Sequence, residues 1–97
     1  MRELKPDITL SVNRALLGEV FTELVAVSCF LASENEFELT FFVDSMIPDF
    51  KEEEISCIET EVMADFPEDF KISHKIVVSP QPVLSALNSF WIFLRKA

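Results

Sequence analysis

Few side chains in this sequence are of the types that do covalent chemistry. In 97 residues there is one histidine, His74, and there are two cysteines, Cys29 and Cys57. A catalytic histidine needs a nucleophile or an orienting carboxylate beside it. His74 instead falls within an alternating segment, on the face of Ile72 and Ile76, the setting of a packed or hydrogen-bonded structural residue. The two cysteines have no Cys-x-x-Cys partner and no neighbouring histidine, so they form neither a zinc pattern nor a disulfide framework. Both are expected as reduced thiols of a cytoplasmic protein. Cys57 is placed on the outer side of a helix, as an accessible rather than a catalytic thiol. A single glycine, Gly18, leaves no glycine-rich phosphate loop. The acids from Asp49 to Glu54 lack the alternating ligands and the glycine of a calcium loop. No pair among seventeen carboxylates stands out for acid–base work. The expectation is a non-enzyme with no catalytic residue, metal or cofactor.

The carboxylates carry a different message through their distribution. The chain has seventeen acids against eight bases, a net charge of −9. Residues 49–69 hold nine of those acids and one base, Lys51, so this segment alone carries −8. Such a surface repels phosphates and anionic membranes, which excludes nucleic acid and lipid as direct ligands. Two readings remain for the segment. One is a solvated helix face that aids solubility. The other is a docking surface for a basic protein, since clustered carboxylates speed encounter with a cationic partner and reject wrong ones. In the second reading the contact residues are Glu53, Glu54, Glu61, Glu68 and Asp69, with Asp65 beside them. Phe42 or Trp91 would add an apolar anchor, because aromatic residues dominate interface hot spots.

The elements that must hold these residues follow from periodicity. Ile8, Val12, Ala15 and Leu16 share one face at helical spacing, predicting a helix over 7–18 that Asp7 or Thr9 caps and Gly18 ends. A run over 22–32, the polar turn Ser33-Glu34-Asn35-Glu36 and an alternating run over 37–44 predict an antiparallel hairpin. Asp49 is a candidate N-cap, and the acids after it suit the positive end of a helix dipole. Ile55, Ile58, Val62 and Phe66 form an apolar stripe for a helix over 50–65, stopped before Pro67. Glu53, Glu54 and Glu61 point away from that stripe, while Glu59 and Asp65 flank it. Alternation predicts a third strand over 70–79 and a short aromatic fourth over 90–94. Residues 80–89 read equally as loop, helical turn or strand.

The predicted order is therefore α-β-β-α-β-β in a single domain, residues 1–97. The fold class is α+β, a two-layer sandwich with a mostly antiparallel four-stranded sheet and two helices on one face. Phe42 points opposite to Phe41, and Trp91 opposite to Phe90. The uncovered face thus carries either an aromatic contact patch or rings closed over by loop residues. The N-terminus, Met1 to Asp7, has no apolar stretch of signal-peptide length, the longest apolar-rich run, Leu24 to Ala32, is too short to span a bilayer, and a cytoplasmic location is the expectation.

Three stretches also resemble a known group of proteins. They are Ser11-Val12-Asn13-Arg14-Ala15-Leu16-Leu17-Gly18-Glu19-Val20, then Glu59-Thr60-Glu61-Val62-Met63-Ala64-Asp65-Phe66-Pro67-Glu68-Asp69-Phe70, and the ending Trp91-Ile92-Phe93-Leu94-Arg95-Lys96. Together they resemble small bacterial proteins akin to the immunity proteins of contact-dependent growth inhibition systems. The resemblance implies a cytoplasmic inhibitor of a cognate toxin domain, often a nuclease or tRNase, acting by steric cover without chemistry. It also implies elongation factor Tu as an indirect partner, through toxins that work with it. The alternative function is a non-catalytic adaptor or a structural homodimer joined through the aromatic surface.

Overall fold

A computed structural model describes residues 4–17, 21–84 and 88–95 of the chain. Its elements are α1 (Leu4–Leu16), β1 (Leu24–Ser33), β2 (Glu36–Val43), α2 (Asp49–Ala64), β3 (Lys71–Val78) and β4 (Ser89–Leu94). The order is the expected one, and the α+β two-layer class holds. The boundaries shift in instructive ways. α1 starts one turn before the predicted residue 7, because a proline is tolerated in a helix's first turn, where no N–H is needed. Pro6 therefore lies inside the helix, and Asp7 stands in its first turn rather than capping it. Thr9 is mid-helix, where its carbonyl accepts the Asn13 side chain at 2.8 Å. The expected role of Gly18 as C-cap lies outside the described residues.

The expected N-cap of α2 is corrected as well. Pro48 occupies that position in extended backbone, with φ −73° and ψ 163°, and no side chain caps the helix. Its carbonyl accepts the N–H groups of Lys51 and Glu52. Asp49 is the first helical residue, where its charge favours the dipole without a capping bond. At the other end the helix closes at Ala64, and the Asp65 N–H reaches back to the carbonyls of Val62 and Met63.

The sheet order is β3-β2-β1-β4. β1 runs antiparallel to both β2 and β4, whereas β3 runs parallel to β2. The parallel pair follows from α2, which crosses over the sheet and returns the chain to the same end. Phe37, Leu39, Phe41 and Val43 point inward along β2 and are fully buried, as strand alternation predicts. Onto them pack Ile8, Val12, Ala15 and Leu16 of α1, and Ile55, Ile58 and Val62 of α2, with Phe66 beyond it. Each large apolar side chain removed from water in this way contributes about 1.5–3 kcal/mol. Both helices thus cover one face of the sheet.

Two features govern the sheet edges. β3 presents Lys71 and Lys75 along one edge strand. On β4, Val27 pairs with Phe93 but Ser28 pairs with Trp91, so Ile92 is an extra, bulged residue. Of the ambiguous stretch, residues 80–84 form neither helix nor strand, 85–87 lie outside the described residues, and Ser89 already belongs to β4.

Candidate functional site

The acidic residues singled out from the sequence lie on the solvent side of α2 and in the loop that follows it. Glu53 and Glu61 are exposed, Glu54 is half-buried, and Glu68 and Asp69 are exposed in the loop. They are oriented by the Ile55–Ile58–Val62 stripe, which is anchored in the core and turns the opposite side of the helix outward. The two carboxylates that flank the stripe behave differently. Each ties α2 to a neighbour. Asp65 accepts the Ser11 hydroxyl at 2.6 Å and the Arg14 guanidinium at 2.9 Å, both from α1. Glu59 bonds the Nδ1 of His74 on β3. Asp65 is therefore a clamp between helices as much as a member of the acidic face.

The Ser11 hydrogen bond holds the Asp65 carboxyl below its ordinary range; partial burial opposes this and the Arg14 guanidinium adds to it. A depressed carboxyl stabilises the fold above its unfolded pKa of about 3.9. That contribution is lost as pH falls through the lower, folded value. Ser11 itself is buried. Asp65→Ala should cost about 1 kcal/mol by leaving that hydroxyl without its partner, or about 4 °C or more in melting temperature for a domain of this size. The gap between wild type and variant should narrow as pH falls below about 4, as the charge of Asp65 is lost. Thermal melts across pH check both, and a gap of the same size at every pH would refute the charged clamp.

The only base within 49–69 is withdrawn from the face. Lys51 places its ammonium 2.6 Å from Glu23 and 5.5 Å from the centre of the Phe21 ring. In return its hydrogen bond lowers the pKa of Glu23. The negative field of α2 is thus left without a cation of its own, and its last turn holds no basic residue. A further contribution was not legible in the sequence. The hairpin turn between β1 and β2 docks on the loop after α2: the Lys71 N–H donates to the Asn35 carbonyl at 2.8 Å, and the Asn35 side chain donates to the Asp69 carbonyl at 3.1 Å. This brings Glu34, in the turn itself, to the end of the molecule that carries Glu68 and Asp69. The polar turn was evident in the chain, but a long-range contact has no periodic signal.

Phe42 and Trp91 lie elsewhere. They point to the sheet face that the helices leave uncovered, and their rings meet edge to face with centroids 5.7 Å apart. Around them is a groove of about 440 Å³ with Ser28 and Thr40 in its floor, and with Phe30, Val83 and Leu84 along its sides. The rings are half-buried, and loop residues 83 and 84 line the groove beside them. The structure therefore does not join the sequence-predicted contact residues into one patch. It separates an acidic layer from an aromatic face on the opposite side of the sheet.

Of the candidates for chemistry, the histidine has a carboxylate neighbour that the sequence pattern did not reveal. His74 bonds Glu59 and stands edge-on to Phe41, centroids 6.0 Å apart. Cys29 is buried, and desolvation pushes its thiol up to about 12, which removes its nucleophilicity. Cys57 is exposed on α2 as expected. Among the described residues no three His, Cys, Asp or Glu side chains converge as a metal site requires, and no helix is long and apolar enough to cross a membrane.

Comparison with known proteins adds the family. A model of the MafI2 immunity protein family matches residues 5–97, and the chain belongs to that family. The resemblance to immunity proteins is thereby sustained, but within the MafI2 group rather than that of contact-dependent growth inhibition. No curated protein matched the chain.

Proposed function

We propose that this MafI2-family immunity protein neutralises its cognate toxin by binding and covering it, and that the toxin domain is a basic nuclease acting in the same cytoplasm. The family supplies the immunity role. The observation that supports the nature of the partner is the placement of charge. A net −8 is concentrated in residues 49–69, and the one base there is consumed by Glu23. A nuclease surface is cationic because it must hold phosphates. An acidic protein face can occupy that surface in place of the nucleic acid. The contact residues proposed are Glu53, Glu54, Glu61, Glu68 and Asp69, with Glu34 extending the surface at the hairpin end. Inhibition is steric and electrostatic, and no residue of the inhibitor reacts.

The test is recovery of the protein from its own cells together with the product of the neighbouring toxin gene, identified by mass spectrometry. The expected result is a complex with a basic C-terminal toxin fragment whose nuclease activity is silent in the complex and returns on separation. A toxin that copurifies but is acidic, or that degrades no nucleic acid when freed, overturns the nuclease reading. The immunity role would stand.

A further inference from the structure

The uncovered sheet face has a composition that antiparallel sheets in water do not need. Such faces alternate to polar residues where solvent meets them. Here the outward set includes Phe30, Phe42, Val77 and Trp91, with Phe30 38% exposed, while Val83 at its margin is 76% exposed. Ser28 and Thr40 lie buried in the floor between the rings, and the charged side chains Glu38 and Lys75 stand at the margin of the groove. Exposed apolar side chains with a charged margin have the anatomy of a protein contact.

Charge decides what sits there. The outward charged side chains on this face occur in matched pairs across neighbouring strands. Lys71 lies opposite Glu36 in the register, and the Lys75 ammonium is 3.6 Å from Glu38. Among the described residues the strands of this face therefore carry no net charge, in a chain whose net charge is −9. The excess sits on the other layer, on α2 and its loop. A basic partner gains nothing electrostatically from a neutral face. A second copy of this chain meets no repulsion there, whereas contact through α2 would set −8 against −8. Four strands about 4.8 Å apart, each six to ten residues long at about 3.3 Å per residue, offer roughly 500 Å² per copy in plan. That is less than the roughly 800 Å² per partner of a standard interface and in the range of weak, transient contacts, so the contact is one that dissociates on dilution.

We propose that the uncovered sheet face is a homodimer interface, with Phe30, Phe42 and Trp91 as its centre. The dimer is isologous, since both copies use the same patch. It places the two acidic layers outermost, each free for a toxin.

Sedimentation velocity of the full chain, over a roughly hundredfold range of concentration, tests this directly. The expected mass is twice 11.1 kDa at the upper end, falling toward the monomer on dilution. Trp91 is the sole tryptophan, so its emission should move to the blue as the dimer forms. Val83→Asp, in an exposed loop where folding is not at stake, should weaken association by about tenfold or more. Phe30→Glu should do the same, while Glu53→Lys should leave dimerisation unchanged. A chain that is monomeric throughout the range overturns the proposal. So does a dimer indifferent to Val83→Asp and Phe30→Glu. Loss of toxin binding in these two variants, with no self-association in the wild type, would assign the face to the toxin and overturn it too.

Discussion

Reversing Glu53, Glu54 and Glu61 together to Lys should slow association with the cognate toxin by about 10- to 100-fold at low salt. The three reversals move the net charge from −9 to −3, and most of the change falls on the outer side of α2. Steering acts on encounter, so the loss should appear in the association rate and much less in the dissociation rate. The salt dependence should flatten in parallel, because screening has less attraction left to remove. Wild type and variant should converge at high ionic strength. The fold should tolerate the change, as Glu53 and Glu61 are exposed and Glu54 is half-buried, and surface substitutions away from specific contacts stay within about 0.5 kcal/mol each. A melting curve of the variant alone provides that control. Unchanged association kinetics in a folded variant would remove this face of α2 from the interface, leaving the loop acids and the sheet face to account for binding.

The largest effect on stability is expected from Phe37→Ala. Phe37 is fully buried on β2, with its ring edge-on to Phe66 at 5.3 Å and to Phe70 at 6.5 Å. The last two rings lie 5.2 Å apart, so three aromatics close the end of the core where α2 gives way to β3. Truncation leaves a cavity and costs about 3–5 kcal/mol, the lost ring pairings included. Set against a total stability of about 5–15 kcal/mol for a domain, this should lower the melting temperature by about 15–30 °C. Phe37→Leu, which keeps most of the volume, should cost markedly less. Denaturant titrations of the two variants check the prediction, and equal losses would show that volume is not what Phe37 supplies. Function should follow stability here, because the same rings hold the loop that presents Glu68 and Asp69.

What periodicity could encode was legible in the chain. The inward sets of β2 and of both helices are the apolar residues expected at spacings of two, three and four, and all of them are buried. The element order follows from those sets together with the polar turn at 33–36. Helix starts were less legible. Pro6 and Asp49 each permit more than one position relative to the first turn, and the choice rests on backbone geometry rather than on residue type. The parallel pairing of β3 with β2 has no local signature, since it depends on which side of the hairpin α2 returns the chain to. The same limit applies to the candidate site. Outward acids on α2 can be read from a helical wheel. The sequestering of Lys51 by Glu23, the bonding of Glu59 to His74 and the docking of Asn35 on the Asp69 loop join residues from separate elements, and only the fold brings them together. Phe42 and Trp91 were correctly turned away from the core, yet their distance from the acidic layer emerges only once both helices are seen to lie on one side.

The guarding of the two sheet edges has a consequence for assembly size. A sheet that recruits copies along its edges has no natural end, because every added strand exposes a fresh edge, and the result is a fibre. In this molecule the lysines of β3 and the bulge at Ile92 on β4 obstruct growth in the plane of the sheet. Contact across the open face is different in kind: once two faces meet, neither copy has another to offer. Contacts that this chain makes with itself through its sheet are therefore finite, and at high concentration it should count in pairs rather than polymerise along that sheet.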